Sequence, residues 1–261
     1  MIITGDSEVS PPPKIYSHYS RLIDISNPHY IMSSRPCELS GEQLSYDLSS
    51  NCPDDIYLDF SKKIDISESG NLPHWHQAGK VQFITFRLVD SLPAQVIGEL
   101  RATIEEFNKI HPKPWSTEVK RLYWNTVGPV EESLLDKGHG SCLLKDKIVR
   151  DPLSDAILHY DGGEWNVMAY VIMPNHVHLL VQLIGEKPLD KLMKSVKMYA
   201  ANRINKTIGR MGSLWQKESF DRLVRNHEEL KHYIIYIKNN PSRLLPGTYE
   251  LYVHPQYDYP V

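Results

Sequence analysis

The succession of apolar patterns along the chain predicts an α+β fold, with helices packed on a largely antiparallel sheet. Three observations carry it. Lys80–Val89, KVQFITFRLV, is rich in β-branched and aromatic residues with partial alternation, as in a strand. Val167–Val181, VMAYVIMPNHVHLLV, is apolar but too short and too punctuated by Pro174 for a helix. Helical periodicities lie between and after these segments, so the two kinds of element are interleaved.

In chain order, residues 1–71 read as an N-terminal extension. SEVSPPPK, SNPHY, SSRPCELSG and SSNCPDD are turn and breaker chemistry, and the function of this region is not legible. Order begins near residue 73, and residues 246–261 read as a C-terminal tail. After the first strand, residues 97–110 suit an amphipathic helix ended by HPKPW. Residues 118–136 carry a weaker helical pattern, ended by KGHGS. Residues 145–160 carry a third, with Ile148, Val149, Ile157 and Leu158 as core positions and Pro152 as a kink. These are helices inserted beyond what a minimal sheet-and-helix core needs. The segment at 167–181 is then a hairpin or strand pair with Pro174–Asn175 at its bend. Residues 188–208 form a strong helix with Leu192, Val196, Tyr199 and Ala200 on its core face and Gly209 as its stop. Residues 213–224 are a turn and a strand. Residues 227–240 are a final helix, with Asn226 as N-cap, Glu229 completing a capping box, and Pro241 as terminator.

The bulk numbers fit one large globular domain with appendages. The chain has 261 residues, 41% apolar and 23% charged. No apolar run reaches the roughly 18–20 residues that span a bilayer. The start, MIITGDSEVSPPPK, does not have the pattern of a secretory signal. Cys37, Cys52 and Cys142 are odd in number and widely spaced, which suits a reducing cytoplasm. The formal net charge of −3 hides an asymmetry. Residues 1–72 hold 11 acidic and 5 basic side chains, whereas residues 187–243 hold 13 basic and 5 acidic. A basic region of that density can neutralise phosphates; solvated helix faces are the other reading.

The chemistry concentrates at His176 and His178. On a strand, positions i and i+2 share a face, so the two imidazoles project side by side while Val177 points away. Two parallel imidazoles are half of a divalent-metal site, although such a pair also occurs as a purely structural feature. On the final helix, Leu230, Tyr233, Ile234 and Ile237 make one core stripe. Tyr236 falls about 110° from its centre, where a phenol can reach a cleft. Asn240 shares that side, four residues on, and also suits a helix-end cap. Trp215, Gln216, Lys217, Phe220, Arg222 and Arg225 interleave aromatic and basic groups, as in stacking on unpaired bases beside phosphate; Trp215 and Phe220 equally suit core anchors. Lys197 and Arg203 on the preceding helix extend the candidate DNA-binding set.

MPNHVHLLV, SVKMYAANRIN and GSLWQKESFDRLVRNHEELKHYIIYIKNNPSR closely resemble the REP-associated tyrosine transposases, relatives of the insertion-sequence single-tyrosine (HUH) transposases. LPHWHQAGKVQFITFRLVDSLP and GHGSCLL resemble a subgroup of that family. The resemblance covers about residues 72–245. It implies an RRM-like, ferredoxin-like antiparallel sheet with packed helices, His176 and His178 as metal ligands, Tyr236 as nucleophile and Asn240 as third ligand. It implies Mg²⁺ or Mn²⁺ as cofactor, and single-stranded or hairpin DNA with palindromic repeats as partner. The implied activity is that of an endonuclease and strand transferase working through a 5′-phosphotyrosyl intermediate, with His232 as a candidate helper to Tyr236. A non-catalytic binder of structured DNA or RNA is the alternative. A zinc hydrolase is a third reading, weakened by the lack of an HExxH motif. No membrane partner is expected; the oligomeric state, monomer or dimer, stays open.

Overall fold

The computed structural model describes residues 54–67, 74–185 and 187–260. Most of the segment read as an extension, with Cys37 and Cys52, lies outside these residues. Seven strands are described: β1 Asp65–Ser67, β2 His74–His76, β3 Val81–Arg87, β4 Trp165–Ile172, β5 His176–Leu183, β6 Phe220–Leu223 and β7 Glu250–Val253. Six α-helices are described: α1 Ala94–Ile110, α2 Thr117–Thr126, α3 Gly128–Leu135, α4 Lys147–Leu158, α5 Leu189–Ile208 and α6 His227–Asn239. Five strands form one antiparallel sheet in the order β6-β3-β5-β4-β7. Its first four strands, with α4 and α5 as crossovers, give the βαββαβ arrangement of the ferredoxin-like α+β fold expected from the sequence.

The period-2 alternation of β5 sorts its side chains between two cores. Val177, Leu179 and Val181 join Ile84, Phe86 and Trp165 in a core shared with α4 and α5. Leu180 joins Phe83, Met168 and Val171 on the opposite face, under Leu230, Ile234 and Ile237 of α6. The histidines share Leu180's parity, so α6 is the helix that covers them. A third, smaller core is built by α1–α3 from Leu100, Trp115, Tyr123, Val127 and Leu135.

Several local expectations change. The weak helix at 118–136 is two helices, α2 and α3, meeting at Val127 and Gly128. Pro152 lies inside a continuous α4, and Ile148, whose carbonyl its ring deprives of an N–H partner, is 68% exposed. Ile148, Leu158 and Tyr199 are exposed; the core faces fall instead on Val149, Leu153 and Ile157 of α4 and on Leu192, Met193, Val196, Ala200 and Ile204 of α5. Gly209 ends α5 in the left-handed conformation, φ 64°, that glycine adopts without a Cβ penalty. Asn226 caps α6 by accepting from the Glu229 amide at 2.8 Å, and the Glu229 carboxylate accepts from the Arg225 amide at 2.7 Å.

Both ends of the described chain join the body. The described residues all fall within one compact unit. Ile56 and Tyr57 are buried in the α6-side core, and the paired strands β1 and β2 are tied to β6 by a half-buried His74 that meets the buried Asp221. Residues 246–261, read as a tail, supply β7 at the sheet edge. Arg150 fixes the approach to β7 by donating to the carbonyls of Leu144, Lys145 and Gly247, and the Tyr170 hydroxyl donates to Glu250 at 2.8 Å. A buried guanidinium must be hydrogen-bonded to be tolerated, which makes these contacts obligatory rather than decorative.

Candidate active site

His176 opens β5, opposite Arg87, and His178 lies opposite Thr85 of β3 and Val171 of β4. Both imidazoles are essentially inaccessible. Their Nε2 atoms face each other at 3.0 Å. The His178 ring lies near-parallel to Phe83 at 5.5 Å, and Phe83 stacks in turn on Tyr233 at 4.1 Å. Tyr233 is thus the core aromatic that its place in the α6 stripe predicts. The Tyr236 ring meets His178 edge-on at 5.0 Å, and its hydroxyl lies 3.2 Å from His178 Nε2.

The nitrogen that carries each proton follows from the surroundings. Asn175 Nδ2 donates to the carbonyls of Leu135 and His139, at 3.3 and 3.0 Å, which turns Oδ1 toward His176. An amide oxygen only accepts, so His176 Nδ1–H donates to it at 2.7 Å and His176 Nε2 keeps its lone pair. His178 Nδ1 pairs with Thr85 Oγ1 at 2.7 Å. When Nδ1–H donates there, both Nε2 lone pairs point into the same small space. Burial pushes His176 down to about 3 and His178 well below its ordinary range, the neighbouring His176 adding to the effect on His178. Both rings are therefore neutral at pH 7, the form that binds metals.

Two further groups close the site. Asp136, one residue beyond α3, places Oδ1 3.6 Å from His176 Nε2. Asn240 Nδ2 lies 3.5 Å from the same carboxylate oxygen, and Asn240 Oδ1 is buried with no hydrogen-bond partner. Partial desolvation raises the Asp136 carboxyl, whose side chain is still 44% exposed, to about 6, against the opposing pull of the Asn240 amide and Arg243. The cluster Asp136, His176 and His178 keeps its donor atoms within 4.8 Å of one another. Two lone pairs 3.0 Å apart have the spacing of adjacent ligands around one octahedral ion with bonds of about 2.1 Å. That spacing, the carboxylate and the orphaned amide oxygen fit a divalent cation with mixed imidazole and oxygen preference.

Sequence reasoning reached His176, His178, Tyr236 and Asn240, and the fold gathers the first three directly, with Asn240 joined through Asp136. It missed Asp136, Asn175 and Thr85. The nominated DNA contacts divide. Trp215 is a core anchor, 6% exposed, with its indole donating to the Lys197 carbonyl at 2.8 Å, so it offers no face to a base. Lys197 is committed too: its ammonium donates to the carbonyls of Gln216 and Lys217 and to Ser219, and burial beside Arg87 lowers it to about 8. Arg222 pairs with Glu229 at 2.7 Å, and the backbone N–H of Gln216 donates to the Arg87 carbonyl, which leaves its side chain uncommitted by that bond. Arg225 lines a polar cleft with Tyr57, Lys62 and Lys80. Arg203 and Lys217 are exposed.

Two predictions arise here. The first concerns metal-free protein in acid. Both folded imidazoles have depressed affinity for protons, so below about pH 6.5 the unfolded chain binds more protons and stability falls as pH falls toward 3. A group moved from 6.5 to about 3 costs about 2 kcal/mol at pH 5, and this is the order expected from His176 alone. Urea unfolding at pH 7 and pH 5 with chelator present measures it, and equal stabilities would refute the buried neutral pair. The second concerns Thr85→Val. Loss of the hydroxyl that orients His178 is expected to weaken divalent-cation binding by about 10–100-fold, and to cost about 1–3 kcal/mol of stability because it leaves His178 Nδ1 unpaired. Calorimetric titration reads it, and unchanged affinity would remove Thr85 from the support of the site.

Residues 144–240 match the family model described as "Transposase IS200 like", a span that runs from the turn before α4 to Asn240. No curated protein matches the chain. Among solved structures, the chain is similar to a REP-associated tyrosine transposase bound to a REP hairpin, with 15% identity, 67% of this chain and 73% of that chain covered, and a TM-score of 0.33. It is also similar to a chain described as "a putative transposase from deinococcus radiodurans r1", with 14% identity, 63% of this chain and 93% of that chain covered, and a TM-score of 0.27.

Proposed function

We propose that this chain, whose residues 144–240 match the model of the IS200-like transposases, nicks and rejoins single-stranded DNA at hairpin-forming palindromic repeats. Transposase-type processing of DNA is what the family match carries. The finer reading assigns Tyr236 as nucleophile and His176, His178 and Asn240 as holders of Mg²⁺ or Mn²⁺. The observation that supports it most is the Tyr236 hydroxyl 3.2 Å from the nitrogen at which the two histidines converge.

The chemistry follows from those residues. Tyr236 Oη forms a bond to phosphorus as the bond from phosphorus to the 3′ oxygen breaks, giving a 5′-phosphotyrosyl link and a free 3′-hydroxyl. A bound divalent cation supplies charge stabilisation to the phosphate oxygens in this step. A free phenol has a pKa of about 10, so the proton needs an acceptor. His232, with its ring centroid 6.5 Å from that of Tyr236, is the assigned candidate, and partial burial together with Arg222 holds it below its ordinary range, with Glu229 opposing. Attack by a 3′-hydroxyl on the phosphotyrosyl phosphorus rejoins a strand and restores the phenol. One phosphodiester replaces another, so no nucleotide hydrolysis is required. Phe83 and Tyr233 brace His178 and the α6 backbone, which keeps the phenol and the imidazoles in register.

The test is cleavage of single-stranded oligonucleotides flanked by hairpins, with Mn²⁺ or with chelator. The reading expects a free 3′-hydroxyl product and a covalent protein–DNA adduct only when metal is present. Equal binding with no cleavage across a panel of hairpins would favour the non-catalytic alternative. Where this protein resides is proposed as the cytoplasm; among the described residues no helix is long and apolar enough to cross a membrane.

A further inference from the structure

The geometry points to Asp136 as a metal ligand delivered to the histidine pair by the inserted helices α1–α3, an inference that rests on the metal-dependent reading above. Three observations lead to it. First, Asp136 Oδ1 is 3.6 Å from His176 Nε2 and within reach of the Asn240 amide, so one carboxylate bridges the strand ligand and the α6 ligand. Asn240 Oδ1 is buried without a hydrogen-bond partner.

Second, Asp136 is held by structure. Leu135, its neighbour, is 1% exposed in the α1–α3 core. The Asn175 amide donates to the carbonyls of Leu135 and His139, on either side of Asp136, while its oxygen accepts from His176. One side chain therefore sets both the orientation of His176 and the height of the Asp136 loop. Farther along, Ser141 N–H donates to Asp90 Oδ2 at 2.9 Å. Gly140, at φ 88°, passes so close that an added Cβ would lie 2.3 Å from the Asp90 carbonyl oxygen. The loop is thus pinned at Asn175 and again at Asp90, just after β3.

Third, the insertion forms a core of its own beside the sheet, against which Phe220 of β6 packs. In the connection from β3 to β4, α4 is the helix that packs on the sheet, and α1–α3 build a separate core whose last helix ends at Leu135, one residue before Asp136. Two imidazoles and one carboxylate make a harder, negatively charged set than two imidazoles and an amide, which favours Mn²⁺ and Mg²⁺ over softer competitors.

The experiment is calorimetric titration of Mn²⁺ into chelator-stripped full-length protein, comparing wild type, Asp136→Asn and Gly140→Ala, with metal-free thermal unfolding as the control for folding. Asp136→Asn keeps the shape of the side chain and removes the charge. The expected result is a drop in Mn²⁺ affinity of about 10–100-fold for Asp136→Asn at unchanged metal-free melting temperature. Gly140→Ala, which leaves every ligand in place but must shift the loop, is expected to weaken binding in the same direction. Wild-type affinity in Asp136→Asn would overturn the assignment while leaving the metal site intact. Wild-type affinity in Gly140→Ala would overturn the delivering role of the insertion. Absence of Mn²⁺ binding by wild type would overturn the metal-dependent reading itself, and Asp136 with it.

Discussion

Tyr236→Phe abolishes strand cleavage, with a loss of about 10⁴-fold or more, and leaves folding and hairpin binding nearly unchanged. The substitution removes one oxygen. The ring keeps its edge-on contacts with His178 at 5.0 Å and Phe83 at 6.1 Å, so packing survives. The lost hydroxyl contact to His178 is worth about 1 kcal/mol or less of stability. The reaction proposed above, in contrast, loses the oxygen assigned to form the covalent link. Quantified cleavage of a hairpin-flanked oligonucleotide, beside a binding isotherm on the same DNA, separates the two effects. Substantial residual cleavage in Tyr236→Phe would transfer the nucleophile elsewhere.

The second large effect is that of His178→Ala. It removes one of the two facing Nε2 atoms and the edge against which Tyr236 is set. Mn²⁺ affinity falls by more than about 100-fold and cleavage becomes undetectable. Removing a buried ring stacked on Phe83 also costs about 1–3 kcal/mol at neutral pH. Acid reverses part of that cost. His178 resists protonation in the folded state, so its penalty grows as pH falls below about 6.5, and the variant escapes that penalty. The stability gap between wild type and His178→Ala therefore narrows from pH 7 to pH 5 in metal-free protein. A gap that widens over that range would contradict the buried neutral assignment.

The features that could be read from sequence were those with a period. Alternation around His176–Val177–His178 put the imidazoles on one face, and the stripe Leu230, Ile234, Ile237 left Tyr236 at its edge; both arrangements are present. What escaped has no period. Asp136 is a lone acid after a weak helix, and its meeting with His176 spans forty residues of chain. The KGHGS that follows it reads as a helix stop, while its glycine at 140 in fact serves a close pass over Asp90. Short edge elements were also missed: β1, β2 and β7 are three or four residues each, too brief for an alternation to register. Trp215 was open to two readings, core anchor or stacking platform, and the structure makes it a core anchor. Its basic neighbours suggested a base-stacking platform, but its indole N–H is satisfied by the α5 carbonyl of Lys197 and its ring packs edge-on against Phe86.

The most direct measurement is the identity of the residue that carries the DNA. After reaction with Mn²⁺ and a hairpin-flanked single strand, the adduct is digested and the modified peptide sequenced by mass spectrometry. The account predicts a 5′-phosphate ester on Tyr236, absent when chelator replaces metal. A phosphate ester on Tyr233 or on any other residue, or strand cleavage that proceeds with no adduct at all, would contradict it.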